Sequence, residues 1–137
     1  MIRIASAAIA LSLLAVGAEA ETLTFKTALD GATEVPAVTS DGKGSATVTF
    51  DTATKMATWK VDYSGLSGPA TAAHIHGPAG PGTNAGVEVP LTVGPSPLTG
   101  SATLTDAQAA DLIGGKDYIN IHTAAHPPGE IRGYLTK

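Results

Sequence analysis

The 137-residue chain contains no cysteine, few aromatic residues and no run of basic residues. Without cysteine there can be no disulfide framework, no zinc–thiolate site and no cysteine nucleophile. Aromatic residues make up only 4% of the chain, too few for a platform that stacks nucleic-acid bases. The net charge is -4, so we expect no nucleic-acid partner. We also find no nucleophile elbow and no phosphate-binding glycine loop. No catalytic residue is therefore assigned, and an enzyme is the less favoured interpretation.

Residues 1–20 predict a secretory signal peptide. Arg3 precedes an apolar run over residues 5–16, and Ala18-Glu19-Ala20 follows. A positive charge, a short apolar core and an Ala-x-Ala end are typical of such a leader. The run is shorter than the ~20 residues that a membrane-spanning helix needs. We expect cleavage after Ala20, with Ala18 as the alternative. The mature chain is then residues 21–137, secreted or periplasmic and without a membrane span.

Alternation of apolar and polar residues with a period of two recurs along the mature chain. Ala46, Val48 and Phe50, for example, alternate with Thr47 and Thr49. Such alternation, rich in β-branched residues, indicates half-buried strands of an antiparallel sheet. The predicted strands lie near residues 22–29, 43–51, 55–64, 71–76, 86–92, 98–104, 116–123 and 130–136. About eight short strands separated by turns predict one all-β domain, a sandwich or a barrel.

One short helix is predicted near residues 105–113. Thr105 and Gln108 have the spacing of a capping box, in which each residue satisfies a backbone amide near the other. Leu112 and Ile113 contribute to an apolar stripe, and Gly114-Gly115 supplies the stop signal.

The four histidines occupy two short windows of the chain. His74 and His76 lie two residues apart in a predicted strand, so both side chains project from the same side. His122 alternates with Ile121, which places His122 on the outer face if the isoleucines define the core. His126 lies at or just beyond the end of that strand. If the two strands are neighbours, three imidazoles converge on one ion and His126 can supply a fourth ligand.

Imidazole nitrogen suits copper, zinc and nickel. Because no thiolate is available and the predicted compartment is oxidising, the Irving–Williams order favours copper, with zinc as an alternative. The competing interpretation is that the histidines are ordinary surface or hydrogen-bonded residues. This interpretation is strongest for His126, which could equally well be an ordinary loop residue.

Four further residues are candidates for positions around the metal. Glu34 is either a solvated carboxylate or an acceptor that orients a histidine N–H. Asn120 shares a strand face with His122. Glu130 and Arg132 flank Ile131 and read first as an exposed ion pair, worth about 0–1 kcal/mol. In the alternative, Arg132 lies beside the metal and attracts an anion.

Several motifs together resemble the CHRD domain, which is named for the repeats of chordin, an extracellular protein. They are Glu34-Val35-Pro36, residues 73–79, residues 104–108, and Asn120-Ile121-His122-Thr123 followed by residues 129–133. The resemblance runs from about Leu23 to Leu135. It implies a secreted β-sandwich, and stand-alone bacterial versions are secreted. It does not fix a function.

A weaker resemblance is to copper–zinc superoxide dismutases, which are Greek-key β-sandwiches with an HxH strand and a later strand histidine as copper ligands. His74, His76 and His122 fit that pattern, and Arg132 lies near the place of a late arginine of that family. The chain lacks the bridging and zinc-ligand histidines of the long zinc loop and the disulfide pair. We therefore expect an antiparallel Greek-key β-sandwich of about eight strands, whereas dismutase activity is only an analogy.

Three hypotheses about function follow. The first is a copper-binding protein that uses a surface histidine cluster for binding, storage or delivery of the metal. The second is a copper-dependent, dismutase-like redox enzyme. The third is an extracellular or periplasmic protein-interaction module in which the histidines are incidental and loop 77–86 carries the contact.

Overall fold

The computed structural model describes residue 17 and residues 19–137 of the chain. The predicted signal peptide therefore lies almost entirely outside the described residues. Within those residues, no helix has the length and apolar character needed to cross a membrane.

The described chain forms eight antiparallel strands and one short helix. The strands are β1 (Thr22–Asp30), β2 (Lys43–Asp51), β3 (Met56–Ser64), β4 (Ala70–His76), β5 (Val87–Leu91), β6 (Leu98–Thr103), β7 (Tyr118–Thr123) and β8 (Ile131–Tyr134). The helix α1 (Asp106–Ile113) lies between β6 and β7. Every predicted strand is present, with bounds that differ from the prediction by three residues or fewer.

The strands form one sheet in the order β5-β4-β7-β8-β1-β2-β3-β6. The two end strands, β5 and β6, approach each other, so the sheet is nearly closed into a barrel. Around the barrel, β4, β5 and β6 follow one another in chain order, and β3 lies on the far side of β6. Three consecutive strands with a fourth returning beside them in this way form a Greek key. The prediction of an all-β antiparallel Greek-key fold is confirmed.

Alternation along each strand separates the core from the solvent. In β3, Ala57, Trp59 and Val61 are buried, whereas Thr58 and Lys60 between them are exposed. In a strand, successive side chains point to opposite faces, so this pattern turns one face inward. The isoleucines that defined the core side of the histidine windows, Ile75, Ile119 and Ile121, are buried as predicted.

The predicted capping box is present at the start of α1. The Gln108 amide N–H donates to Thr105 Oγ1 (3.2 Å), and the Thr105 amide N–H donates to Gln108 Oε1 (2.9 Å). Leu112 is buried against the core, whereas Ile113 is largely exposed. The Gln108 side chain also donates to the backbone carbonyl of Glu88 (2.9 Å), which ties the helix to β5.

The sheet topology brings the two histidine windows together. β4 and β7 are direct neighbours, and His74 lies opposite Asn120 while His122 lies opposite Ala72. β7 has β8 on its other side, with Asn120 opposite Arg132. β7 is therefore a central strand, and residues of both its faces are covered.

We predict that Gly100→Ala destabilises the barrel. A Cβ at Gly100 would lie 2.7 Å from Cζ2 of Trp59, so the indole would have to move within a packed core. We expect a loss of about 1–3 kcal/mol in the free energy of unfolding, as is usual for overpacking. Trp59 is the only tryptophan, so its fluorescence reports both the displacement and urea unfolding.

Gly86→Ala is the matched control, because a Cβ there meets no atom within 4 Å. Equal stabilities of the two variants would contradict the predicted contact.

Candidate metal centre

His74, His76 and His122 form one compact cluster. Each imidazole offers a nitrogen, and these nitrogens all lie within 4.8 Å of one another. The ring centroid of His74 lies 5.3 Å from that of His76 and 5.0 Å from that of His122. Pairing of β4 with β7, which the sequence alone does not reveal, creates this juxtaposition.

Backbone carbonyls orient two of the three rings. Nδ1 of His122 lies 2.7 Å from the carbonyl oxygen of Pro127, and Nδ1 of His76 lies 2.9 Å from that of Ala85. A carbonyl only accepts, so in each neutral ring Nδ1 carries the proton and donates it. Nε2 of His122 is then left with a lone pair, whereas Nε2 of His76 faces a second oxygen acceptor, the side chain of Asn120.

His74 completes the cluster through a contact with His122. Nδ1 of His74 lies 3.1 Å from Nε2 of His122, so one hydrogen is shared between two nitrogens that could both ligate a metal. Burial lowers the pKa of His74, and the neighbouring His122 and His76 lower it further. The ring is thereby held in the neutral form that metals require.

His76 is the most deeply placed member and is 8% exposed. Burial lowers its pKa, although its hydrogen-bonding contacts with Ala85 and Asn120 oppose the shift. Its ring stacks on Tyr118, with centroids 4.8 Å apart and planes within 7°. We expected His76 on an outer face, and it does lie opposite the core, but loop 77–86 covers it.

Asn120 contacts His76 directly, with its side-chain oxygen 3.0 Å from Nε2. The residue is 1% exposed and lies opposite both His74 and Arg132 in the sheet. Asn120 therefore lies beside one of the clustered histidines, and both nitrogens of the His76 ring face oxygen atoms.

His126 lies apart from the cluster. Its Nε2 lies 3.8 Å from Oε1 of Glu130, and it is not among the three grouped histidines. The structure therefore brings together three of the four predicted ligands. The fourth, His126, lies instead beside the carboxylate of Glu130.

Arg132 and Glu34 form a buried ion pair. Both Nε and Nη2 of Arg132 lie 3.0 Å from Oε2 of Glu34, and each side chain is 2% exposed. Burial raises the pKa of Glu34, and the guanidinium opposes that shift. Glu34 is thus neither a solvated carboxylate nor an acceptor from a histidine, since the group that donates to it is the guanidinium of Arg132.

The expectation that Glu130 and Arg132 form an exposed ion pair is wrong. Both are buried, at 0% and 1% exposure, and each has partners of its own. They flank Ile131 and share a face as predicted, but that face is covered by loops and not by solvent. Arg132 donates to the carbonyl of Thr83 (3.2 Å) and to Oδ1 of Asn84 (2.7 Å), both in loop 77–86.

The buried carboxylate of Glu130 accepts hydrogen bonds from protein hydroxyl and amide groups. It accepts hydrogen bonds from the Ser67 hydroxyl and amide, from Thr123 Oγ1 (2.9 Å) and from Ser40 Oγ (3.0 Å). Burial by itself would raise the pKa of Glu130, but these hydrogen bonds, led by those from Ser67, hold it below its ordinary value. Glu130 therefore joins the loop after β1 to the loop between β3 and β4 and to β7.

Comparison with known protein families identifies the family of this chain. The family model of the CHRD domain matches residues 25–135. The chain belongs to the CHRD domain family. Membership suggests an extracellular β-domain, in keeping with the all-β architecture. A search of curated proteins and a search of solved structures each found no significant match.

Sequence reasoning missed one group in this CHRD domain. Glu88, Asp111 and Asp117 bring three carboxylates within 4.8 Å of one another. A signal was present, because Glu88 stands in a predicted strand between Val87 and Val89. The three residues belong to different elements, so no motif in the sequence joins them.

We predict that Arg132→Met destabilises the CHRD domain by about 3–5 kcal/mol, since it leaves the Glu34 charge buried without its partner. The double variant with Glu34→Gln should cost less than the sum of the two single changes, because the residues are directly coupled. Urea unfolding followed by Trp59 fluorescence measures all three values.

Lys60→Met provides the control, because Lys60 forms an exposed ion pair with Asp62 (3.6 Å). We expect it to cost about 0–1 kcal/mol. An Arg132→Met variant as stable as Lys60→Met would refute the argument that the buried pair matters.

We predict that Glu130 contributes to stability near neutral pH and not in acid. Its folded-state pKa lies below the ordinary value of 4.5, so the unfolded chain takes up the proton first as the pH falls. The contribution is present above that value and is lost as the pH falls through the folded pKa. Glu130→Gln should therefore cost about 1–3 kcal/mol at neutral pH and progressively less in acid.

Unfolding in urea across the acid range measures this difference, with the exposed Glu21→Gln as control. A difference between wild type and Glu130→Gln that is the same at every pH would contradict the prediction.

Proposed function

We propose that this CHRD domain is a secreted or periplasmic metal-binding protein that holds copper on His74, His76 and His122. Its role would be binding, storage or delivery of the metal. Zinc is the alternative occupant, because the donors are imidazoles and zinc also accepts them.

The orientation of the imidazoles is the observation that carries the proposal. Ligating histidines typically donate their second ring N–H to a carbonyl or a carboxylate, which fixes the tautomer. His122 does so to Pro127 and His76 to Ala85, so both rings turn Nε2 away from those carbonyls. His122 therefore presents Nε2 to the cluster with His74 in contact, and a metal on Nε2 of His76 would replace the contact of that atom with Asn120.

The spacing of the nitrogens fits a metal of this kind. Nitrogen ligands lie about 2.0–2.1 Å from zinc, so two of them in one coordination sphere are roughly 3 Å apart. Nδ1 of His74 and Nε2 of His122 are 3.1 Å apart. A cation between them would replace the proton that they share. We leave His126 out of the ligand set, because it faces Glu130.

A metal titration of purified protein tests the proposal. We expect equimolar copper in the wild type and its loss from a His74→Ala/His122→Ala variant, because two of the three donors are then absent. Copper retained after dialysis is measured by elemental analysis, and the affinity by competition with a chelator. A parallel zinc titration identifies the preferred metal.

His126→Ala is the matched control, a histidine of the same window that lies outside the cluster. It should bind copper like the wild type. Loss of copper from His126→Ala together with retention in the double variant would overturn the assignment of ligands.

The dismutase hypothesis finds less support than binding. It needs a positive group that draws an anion toward the metal, and Arg132 was the candidate. Arg132 is 1% exposed and donates to Glu34, Thr83 and Asn84, so it is not presented to solvent. A superoxide assay of the copper-loaded protein decides between the two, since binding alone predicts no turnover above that of the metal-free protein.

The interaction hypothesis has loop 77–86 as its contact surface. Pro81, Gly82, Thr83 and Asn84 are exposed, while the loop is tied to the domain through Arg132. Retention of a specific partner by a variant that lacks all four histidines would favour this use of the domain over metal binding.

A further inference from the structure

Glu88, Asp111 and Asp117 bring three carboxylates together at one end of the barrel, apart from the histidines. We call them the acidic trio. Glu88 lies in β5, Asp111 in the last turns of α1, and Asp117 immediately before β7. One carboxylate oxygen from each lies within 4.8 Å of the others.

Local structure directs these side chains toward each other. In the pairing of β4 with β5, Ile75 lies opposite Val89 but His76 lies opposite Val87, so Glu88 is the extra residue of a β-bulge. Bulges re-aim a side chain relative to the regular strand. Hydrogen bonding of Gln108 to the Glu88 carbonyl holds α1 at the same place, one turn before Asp111.

The charge of the acidic trio is not compensated by protein groups. Asp117 is 2% exposed, and its Oδ1 is a buried atom without a hydrogen-bond partner. Oε2 of Glu88 is likewise buried and has none. Across residues 19–137, none of the ion pairs includes a member of the trio. Burying a carboxylate without a cation or donors is costly, which points to a positive ligand from outside the chain.

The surroundings of Asp117 show that the space is shaped around its carboxylate. Gly77 follows the last residue of β4, and a Cβ at this position would overlap Oδ1 of Asp117 and approach the carboxyl carbon of Glu88. Only glycine, which has no Cβ, therefore leaves room for the two carboxylates beside the backbone at this position. Burial raises the pKa values of Glu88 and Asp117, and the charge of Asp111 raises both further.

We propose that the acidic trio is a second metal site, for a hard divalent cation of the Ca²⁺ class, distinct from the histidine cluster. Carboxylate oxygens are the preferred ligands of Ca²⁺, which takes roughly 6–8 of them at flexible geometry. Three carboxylates supply three to six oxygens, and water completes the sphere. A cation there ties β5, α1 and the start of β7 together. Copper, which prefers imidazole, would remain on the histidines.

Calorimetric titration with CaCl₂, and separately with MnCl₂, tests this site in the purified protein. We expect equimolar binding that Asp117→Asn weakens by about tenfold or more, because fewer ligand charges lower the affinity of such sites. The His74→Ala/His122→Ala variant should bind Ca²⁺ as the wild type does. The two sites are thereby tested separately.

Asp106→Asn is the matched control, an exposed carboxylate in the first turn of the same helix. Trp59 fluorescence checks that each variant is folded. If Asp117→Asn fails to fold, the half-buried Asp111→Asn takes its place. Absence of binding for both cations would overturn the proposal and leave three carboxyl groups that share protons. Unchanged affinity in Asp117→Asn or Asp111→Asn would overturn it as well.

Discussion

The guanidinium of Arg132 is the constraint on which the surroundings of the histidine cluster depend. It extends from β8 over the ring of Tyr118, with its Cζ 3.9 Å from the ring centroid. From there it reaches Glu34 on one side and the Thr83 carbonyl and Asn84 on the other. A planar group with five donors can hold two separate loops at once, which a lysine ammonium cannot do in the same way.

The position of the covering loop decides how His76 is held. Arg132 fixes loop 77–86, and the Tyr118 hydroxyl accepts from the amide of Ala85 (3.1 Å) in that loop. The carbonyl of Ala85 then accepts from His76. A chain of contacts therefore runs from the buried ion pair, through the loop, to the ring of one proposed ligand.

The domain handles its buried negative charge in three different ways. Glu34 is neutralised by a guanidinium, and Glu130 is surrounded by hydroxyl and amide donors. The acidic trio has neither. Because an isolated charge in a poorly hydrated place is far more costly than a paired one, the contrast between these sites within one small domain is informative. It is this contrast that led us to propose a cation at the acidic trio.

Much of the fold could be predicted from the sequence because its signals are local. Alternation, together with the turns between the runs, located the strands, and Thr105 with Gln108 located the helix start. The shared side of His74 and His76 followed from the two-residue period of a strand. The pairing of β4 with β7 could not be predicted, since it joins residues more than 40 positions apart. The burial of Arg132 and Glu130 was missed for a related reason. Charged residues are usually exposed, and only tertiary contacts show which loops cover them.

The near closure of the sheet has a consequence for how the molecule meets its own copies. An unpaired strand edge is a template on which another chain can add a strand. The two ends of this sheet, β5 and β6, lie next to each other where the barrel nearly closes. β5 also carries the exposed Pro90, which has no N–H to offer to an incoming strand. A chain with no crosslinks and modest net charge thus resists edge-to-edge aggregation through its topology.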